Sequence, residues 1–440
     1  MSDDPSCNPI VRNRMRFIAF GLLLIAGGCR SVRPASDPHP SGVVPAPPHI
    51  SWLELRVPKD IVDATGNAHR RSPNHPDGIA VRNAGGDLVP LLPIGVRGAI
   101  EIWEFASEPL GGGWISGIDP GLIKQGRSFV LVSNAAADDP PSDLNVPRRR
   151  AIDAVILEPS ATPSAGTAIV MSSLARQTPP EQAFMADLLG AGFTVITTAP
   201  PVNAIDRATG GRTTLDIEAD PELAGRMFAA EVDLAFTAWA DGLKAVLTYL
   251  GQTSDITPSP LVLIGVSSGA VAAPIVAARL HEDFPIEVAV LIAGGSDVAS
   301  ILLETTLDPE DLRLIRRGDR SNETDAAVFA SSYHRSVRLD SAAIVEWLGR
   351  RPVLLLEGGY DRAIPSSSRS LLDRRLGRPE RWWYPVGHYG LFFILPGEGD
   401  AIVDWIRRSL RPIIGPSKVD MRSGNPALRS HEERFETGTL

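Results

Sequence analysis

Leu261-Val-Leu-Ile-Gly-Val-Ser-Ser-Gly-Ala270 is the stretch from which the rest of the chain can be placed. Four apolar residues, Leu261 to Ile264, run straight into Gly265-Val266-Ser267-Ser268-Gly269, and Ala270, Ala272 and Ala273 follow. A short continuous apolar run reads as a strand buried on both faces. Small residues beyond it suit a helix lying close against the sheet. Between the two, the Gly-x-Ser-x-Gly spacing predicts a tight turn that lifts the Ser267 hydroxyl above the sheet. The backbone is strained at such a serine, and strand and helix approach too closely for side chains at 265 and 269. Ser267 is therefore the candidate nucleophile. The plain alternative is a serine in a glycine-rich turn that packs a helix on a sheet.

A serine hydroxyl is a poor nucleophile at neutral pH and needs an imidazole to remove its proton. A carboxylate must in turn orient that imidazole and stabilise its cation. The chain has eight histidines, of which only His281, His334 and His388 lie between Ser267 and the C-terminal tail. His281 ends a helical stretch beside Glu282 and Asp283, and His334 lies in a charged insertion. His388 alone follows a late strand, in Tyr384-Pro-Val-Gly-His388-Tyr-Gly390. The expected carboxylate is Asp361, in Gly358-Gly-Tyr-Asp361-Arg-Ala-Ile-Pro365 after the strand 352–356. Asp297, in Ala293-Gly-Gly-Ser-Asp297 after the preceding strand, is the alternative acid. Reactive groups of an open α/β sheet gather at the carboxyl ends of its strands, which is where all of these fall.

The 440 residues carry a net charge of −9, and no segment forms a Lys/Arg-rich face, so no nucleic-acid partner is expected. With 43% hydrophobic residues the chain can build a sizeable core. Its two cysteines, Cys7 and Cys29, fall outside the region assigned to the fold, which leaves that region no internal disulfide and no Cys-based metal site. Arg12, Arg14 and Arg16 precede the apolar run Phe17–Gly28, the pattern of a secretory signal and too short a run for a comfortable membrane span. Residues 1–29 resemble a lipoprotein signal, with Cys29 as the lipidated residue, although Ala26 stands where leucine is usual and Ile25 is one place early. Met15 is an alternative start. The implied location is extracytoplasmic, periplasmic or outer-surface, with membrane contact only through this segment. Residues 30–50 hold six prolines and read as an extended linker, and 412–440 read as a disordered tail.

Residues 51–124 contain strand-like runs at 52–57, 78–82 and 99–105 and form a small β-rich extension. From 125 to 411 strands alternate with helices: strands near 128–133, 151–157, 168–171, 193–197, 261–264, 286–292, 352–356 and 381–384. Between them a long helix is predicted over 221–250. Its apolar positions Phe228, Val232, Phe236, Trp239, Leu243, Val246 and Leu250 form one stripe. Such alternation predicts a mostly parallel sheet covered by helices on both faces. Residues 294–350, rich in charge and expected to be helical in pieces, interrupt it as a lid-like insertion. The loop 199–220 reads as a solvated surface loop, with the mouth of the site as the alternative.

Gly265–Gly269, Gly358–Pro365 and Gly387–His388 together resemble the α/β-hydrolase fold superfamily over about residues 125–411. The resemblance implies an eight-stranded sheet whose first two strands pair antiparallel, an acyl-enzyme pathway and no cofactor. It also implies that backbone N–H groups hold the oxyanion: Ser268 supplies one, and the loop Ser172-Ser173-Leu174 the other, from Leu174 or, failing that, Ser173. Where that loop often reads His-Gly, this chain has two serines. No metal cluster, phosphate-binding loop or dinucleotide fingerprint accompanies the motifs. The expected substrate is a small-molecule acyl ester or thioester. A peptidase or amidase on the same fold, or a non-catalytic surface module, are the competing readings.

Overall fold

The computed structural model describes residues 79–414, apart from 83–87, 98–99, 106–116, 135–148, 162–163, 175–176, 204–212, 254–258, 307–311 and 316–322. The signal-like segment, the proline-rich linker and the strand-like run 52–57 lie outside it, as does the C-terminal tail beyond 414.

The chain begins with three strands, β1 (Ile79–Arg82), β2 (Leu88–Arg97) and β3 (Ile100–Phe105), followed by β4 (Ile123–Asn134) and β5 (Arg149–Pro159). Then come β6 (Gly166–Met171), helix α1 (Pro179–Gly190), β7 (Phe193–Thr198), and the short β8 (Val202–Asn203) and β9 (Thr213–Asp216). Helix α2 (Pro221–Thr253) leads into β10 (Leu261–Val266), α3 (Ser268–Leu280) and β11 (Ile286–Ile292). The insertion supplies α4 (Val298–Glu304), β12 (Leu312–Ile315), α5 (Glu323–Ser336) and α6 (Ser341–Leu348). The chain closes with β13 (Val353–Gly358), α7 (Ser366–Arg375), β14 (Glu380–Tyr384) and α8 (His388–Ile414).

One sheet runs in the order β1-β2-β3-β4-β5-β7-β6-β10-β11-β13-β14. From β7 to β14 every neighbouring pair is parallel, whereas β4 and β5 pair antiparallel, with Ser128 opposite Val155. The eight strands from β4 to β14 have the order of the α/β-hydrolase fold, and that is the architecture of the molecule. The sheet is wider than the eight strands expected. The strands β1–β3 continue it beyond β4, and β8 adds to β5, for twelve in all. The strand β2 defeats a reading by composition because it contains Pro90, Pro93 and Gly95, and its register with β3 shifts between Pro93 and Gly95. Prolines of this kind are tolerated where a ladder is interrupted.

Continuous apolar runs still obey the two-residue period of a strand. Ile169, Met171, Leu261 and Leu263 face a core shared with α2, α3, α6 and α7. Ala168, Val170, Val262 and Ile264 face the opposite core, shared with α1 and α8. Each fully buried large aliphatic side chain contributes roughly 1.5–3 kcal/mol. The whole predicted stripe of α2 is buried, and Trp239 Nε1 donates to Thr198 Oγ1 at 2.8 Å, which ties the helix to the end of β7.

The insertion is not purely helical: β12 pairs parallel with β9, with Leu314 opposite Leu215. This pairing joins the insertion to the loop 199–220, whose Leu215 is fully buried, so that segment is not simply a solvated loop. Helix α5 lies on α2, where Phe228 packs on Phe329 and Tyr333 at centroid distances of 5.8 and 5.3 Å. Buried Asp233 on α2 accepts the N–H groups of Arg338 and Leu339, fixing the chain as it leaves α5.

Candidate active site

Ser267 stands between β10 and α3 with φ 54° and ψ −113°, a positive-φ conformation costly for a residue with a side chain. The surroundings hold it there. Its N–H donates to Ile292 O at 2.8 Å, and its carbonyl accepts Val271 N–H at 3.1 Å. A Cβ at Gly265 would sit 2.5 Å from the Ala270 Cα, and one at Gly269 would sit 2.0 Å from the Met171 carbonyl. Both glycines are therefore steric necessities, as the spacing predicts.

Ser267 Oγ lies 3.0 Å from His388 Nε2, and His388 Nδ1 lies 2.8 Å from Asp361 Oδ2. The three come from the ends of β10, β13 and β14, far apart in sequence, and each is at most 5% exposed. A carboxylate only accepts, so Nδ1 carries the proton and Nε2 is left with the lone pair that accepts the serine hydroxyl. The other oxygen of Asp361 accepts from the N–H groups of Ala363 and Ile364, at 2.8 and 2.9 Å. The side chain is thus fixed before it meets the imidazole.

Asp297 is elsewhere. It caps α4, accepting from Ser300 N–H and from Ser300 Oγ at 2.6 Å, and its nearest histidine is His334 at 3.4 Å. Of the two candidate acids, only Asp361 meets His388.

The loop after β6 divides its expected donors. Ser173 N–H donates to Glu181 Oε1 at 2.8 Å and is spent there. Leu174 is 41% exposed and lines the same cavity as Ser267 and Ser268. Ser268 opens α3, where the first amides of a helix have no partner within it, and its Oγ donates to Ser172 O at 3.4 Å.

That cavity, about 260 Å³, is walled largely by apolar side chains, among them Phe228, Val232 and Phe236 of α2 and Val298, Ile301 and Leu302 of α4. Pro200 and Pro201 also border it, so the loop after β7 does reach the mouth. One ion pair, Arg150 with Glu231, interrupts the apolar wall. Tyr389, beside His388 in sequence, is 66% exposed and does not line the cavity.

Sequence reading misses the charged residues behind the site. Arg369 of α7 donates from Nη1 to Gly358 O at 2.6 Å and from Nε to Ile364 O at 3.2 Å, spanning the loop that carries Asp361. Glu357, the residue before that loop, pairs with Arg381 at 2.6 Å. Burial pushes its carboxyl above the usual carboxylate range, and Arg381 and Arg369 pull it back. Among the described residues no three His, Cys, Asp or Glu side chains are grouped to hold a metal ion.

No protein-family model matches the chain, and no curated protein is similar to it in sequence. Solved structures do resemble it. Est1E from Butyrivibrio proteoclasticus is 14% identical, over 59% of this chain and 95% of its own, with a TM-score of 0.39. The esterase domain of a Rhodothermus marinus protein is 15% identical, over 59% and 94%, with a TM-score of 0.37. The Pyrococcus furiosus esterase Pf2001 is 14% identical, over 61% and 91%, with a TM-score of 0.38.

Proposed function

We propose that this chain is a serine hydrolase that cleaves carboxylic esters through an acyl-enzyme. The observation that carries the reading is the unbroken relay from Ser267 Oγ through His388 to Asp361, at 3.0 and 2.8 Å, opening on an apolar cavity. As Ser267 Oγ attacks the ester carbonyl, His388 Nε2 takes its proton and Asp361 stabilises the imidazolium. The Ser268 and Leu174 N–H groups hold the oxygen on which negative charge develops. Collapse breaks the bond to the leaving oxygen, which receives the proton from His388 and departs as the alcohol. Water then repeats the sequence against the acyl-serine, releasing the acid and restoring the hydroxyl. The apolar wall fits an ester with an apolar group next to the scissile bond.

A fluorophosphonate probe and a panel of p-nitrophenyl esters of increasing acyl length test the reading. The full chain should label and turn over, and Ser267→Ala should do neither. Absence of labelling in the wild type, or turnover of peptide anilides in preference to every ester, would overturn it. The N-terminal segment is read from sequence alone. We infer an extracytoplasmic protein anchored through a lipid on Cys29, which mass spectrometry of the mature N-terminus checks: a chain that keeps Met1 or Met15 rules the anchor out.

A further inference from the structure

The geometry points to Glu181 as the residue that positions the oxyanion-holding amide of Leu174. The inference rests on the reading of Ser267 as an acylating nucleophile. Glu181 is in the first turn of α1 and is fully buried. Four donors converge on its carboxylate. Ser173 N–H reaches Oε1 at 2.8 Å, while Thr178 N–H, Thr178 Oγ1 and Ser173 Oγ reach Oε2 at 2.6, 2.8 and 3.3 Å. The bonds from Thr178 close the start of the helix, an ordinary duty for a glutamate at this position. Those from Ser173 have no part in capping, because Ser173 stands five residues before the helix cap. They tie the far end of the loop instead.

That tie orients one peptide plane. In a trans peptide the carbonyl and the following N–H point in opposite directions. The Ser172 carbonyl accepts from Ser268 Oγ at 3.4 Å, and the Ser173 N–H donates to Glu181. With both ends held, the plane cannot rotate. The Ser172 N–H, bonded to Thr198 O at 2.9 Å, fixes the preceding one. The next amide along belongs to Leu174, whose side chain borders the cavity with Ser267. With the Ser173 N–H and Oγ both on Glu181, the Leu174 N–H is left to turn about the ψ of Ser173, and the inference is that this restriction presets it before substrate arrives, as electrostatic stabilisation of a developing oxyanion requires. Only an all-acceptor group can satisfy four donors, so a glutamine at 181 would set its own N–H₂ against at least one of them.

The test compares Glu181→Gln with Thr178→Val in the full chain, measuring kcat and KM on a p-nitrophenyl ester, with active sites counted by fluorophosphonate labelling. Glu181→Gln should lower kcat per labelled site by roughly tenfold or more and leave KM within about twofold, the signature of an interaction made in the transition state. Thr178→Val removes a bond to the same carboxylate but none to Ser173. It should lower Tm without changing kcat. Leu174→Pro, which deletes the amide itself at an exposed position, should cost roughly 10²–10³ in kcat, and Ser173→Ala, which removes the Ser173 Oγ bond to Glu181 and leaves the Leu174 amide in place, should lower kcat by roughly threefold or more and carries the test if Glu181→Gln does not fold. Unchanged kcat per labelled site in Glu181→Gln or Ser173→Ala, or an equal loss in Thr178→Val, overturns the inference and leaves the hydrolase reading intact; unchanged kcat in Leu174→Pro overturns the inference and also removes Leu174 from the oxyanion site. A wild type that neither labels nor turns over sinks both.

Discussion

Two loops border the cavity beside Ser267, and each is held by one charged side chain from the helix that follows it, with opposite polarity. The loop before α1 is held by an anion: Glu181 collects the amides of Ser173 and Thr178. The loop before α7 is held by a cation: Arg369 collects the carbonyls of Gly358 and Ile364. The difference follows from what each loop must present. The second loop turns the amides of Ala363 and Ile364 inward onto Asp361, which leaves carbonyls to be satisfied from behind. In the proposed reading the first presents the Leu174 amide to substrate, and the charge behind it takes the amides of Ser173 and Thr178. A cation in the first turn of a helix opposes the helix dipole, whereas an anion there is favoured. Arg369 therefore sits at a place where helix formation alone would not select it.

The strongest way to break this contrast is to attack the acid it serves. Asp361→Asn should lower kcat by about 10⁴ with little change in stability, because the amide cannot hold the imidazole in the tautomer that accepts the serine proton. Asp297→Asn should leave kcat within about twofold, since Asp297 is engaged with Ser300 and His334. Steady-state kinetics on one ester decide the matter. The reverse ranking would mean that Asp297 orients the histidine and that the loop held by Arg369 is only scaffold.

The three side chains that meet above the sheet were readable and those that hold the backbone were not, for a physical reason. Ser267, Asp361 and His388 are reactive types at strand ends, flanked by the glycines that such turns need. Glu181 and Arg369 look in sequence like the solvated charges of an amphipathic helix, and no pattern marks a side chain whose partner is a distant peptide group. The same division runs through the fold. The parallel strands and the stripe of α2 are legible because burial imposes a period. The strand β2, with two prolines and a bulge, and the four-residue pair β9–β12 are set by neighbours that composition does not reveal.

A smaller effect sharpens the comparison from the cation side. Arg369→Met keeps the volume of the side chain and removes its donors, so Ile364 O loses the guanidinium and Gly358 O is left with the longer bond from Asp361 N–H, at 3.3 Å. Asp361 then drifts against the imidazole, and kcat should fall roughly 10- to 100-fold, the cost of a misplacement on the order of 1 Å. The loss should show in kcat per fluorophosphonate-labelled site, with Tm within about 3 °C of the wild type. A loss of activity that follows a fall in Tm, with kcat per labelled site unchanged, would mean that Arg369 supports only the fold, through its attraction for Glu357.

The two flanks also meet at a distance from the chemistry. Helix α1 leaves the anion-held loop, α8 begins at His388, and the two pack together on one face of the sheet, sharing the core that holds Leu188 and Ile402. At their contact, burial and the neighbouring Asp400 push the Asp187 carboxyl up to about 6. With the folded value raised above the unfolded one of 3.8, the folded state holds the proton more tightly. The stabilisation is complete below the unfolded value and is lost as pH rises through about 6. Asp187→Asn should therefore match the wild type near pH 4 and exceed its Tm by about 1–2 °C at pH 8, a small gain because the pair is partly open to solvent. Thermal melts across that range check the sign. The pH profile of kcat should not change with them, because Asp187 meets α8 at Asp400, twelve residues along the helix from His388. A shift in that profile on Asp187→Asn would show that the flanks are coupled through α1 and α8 and are not held separately by Glu181 and Arg369.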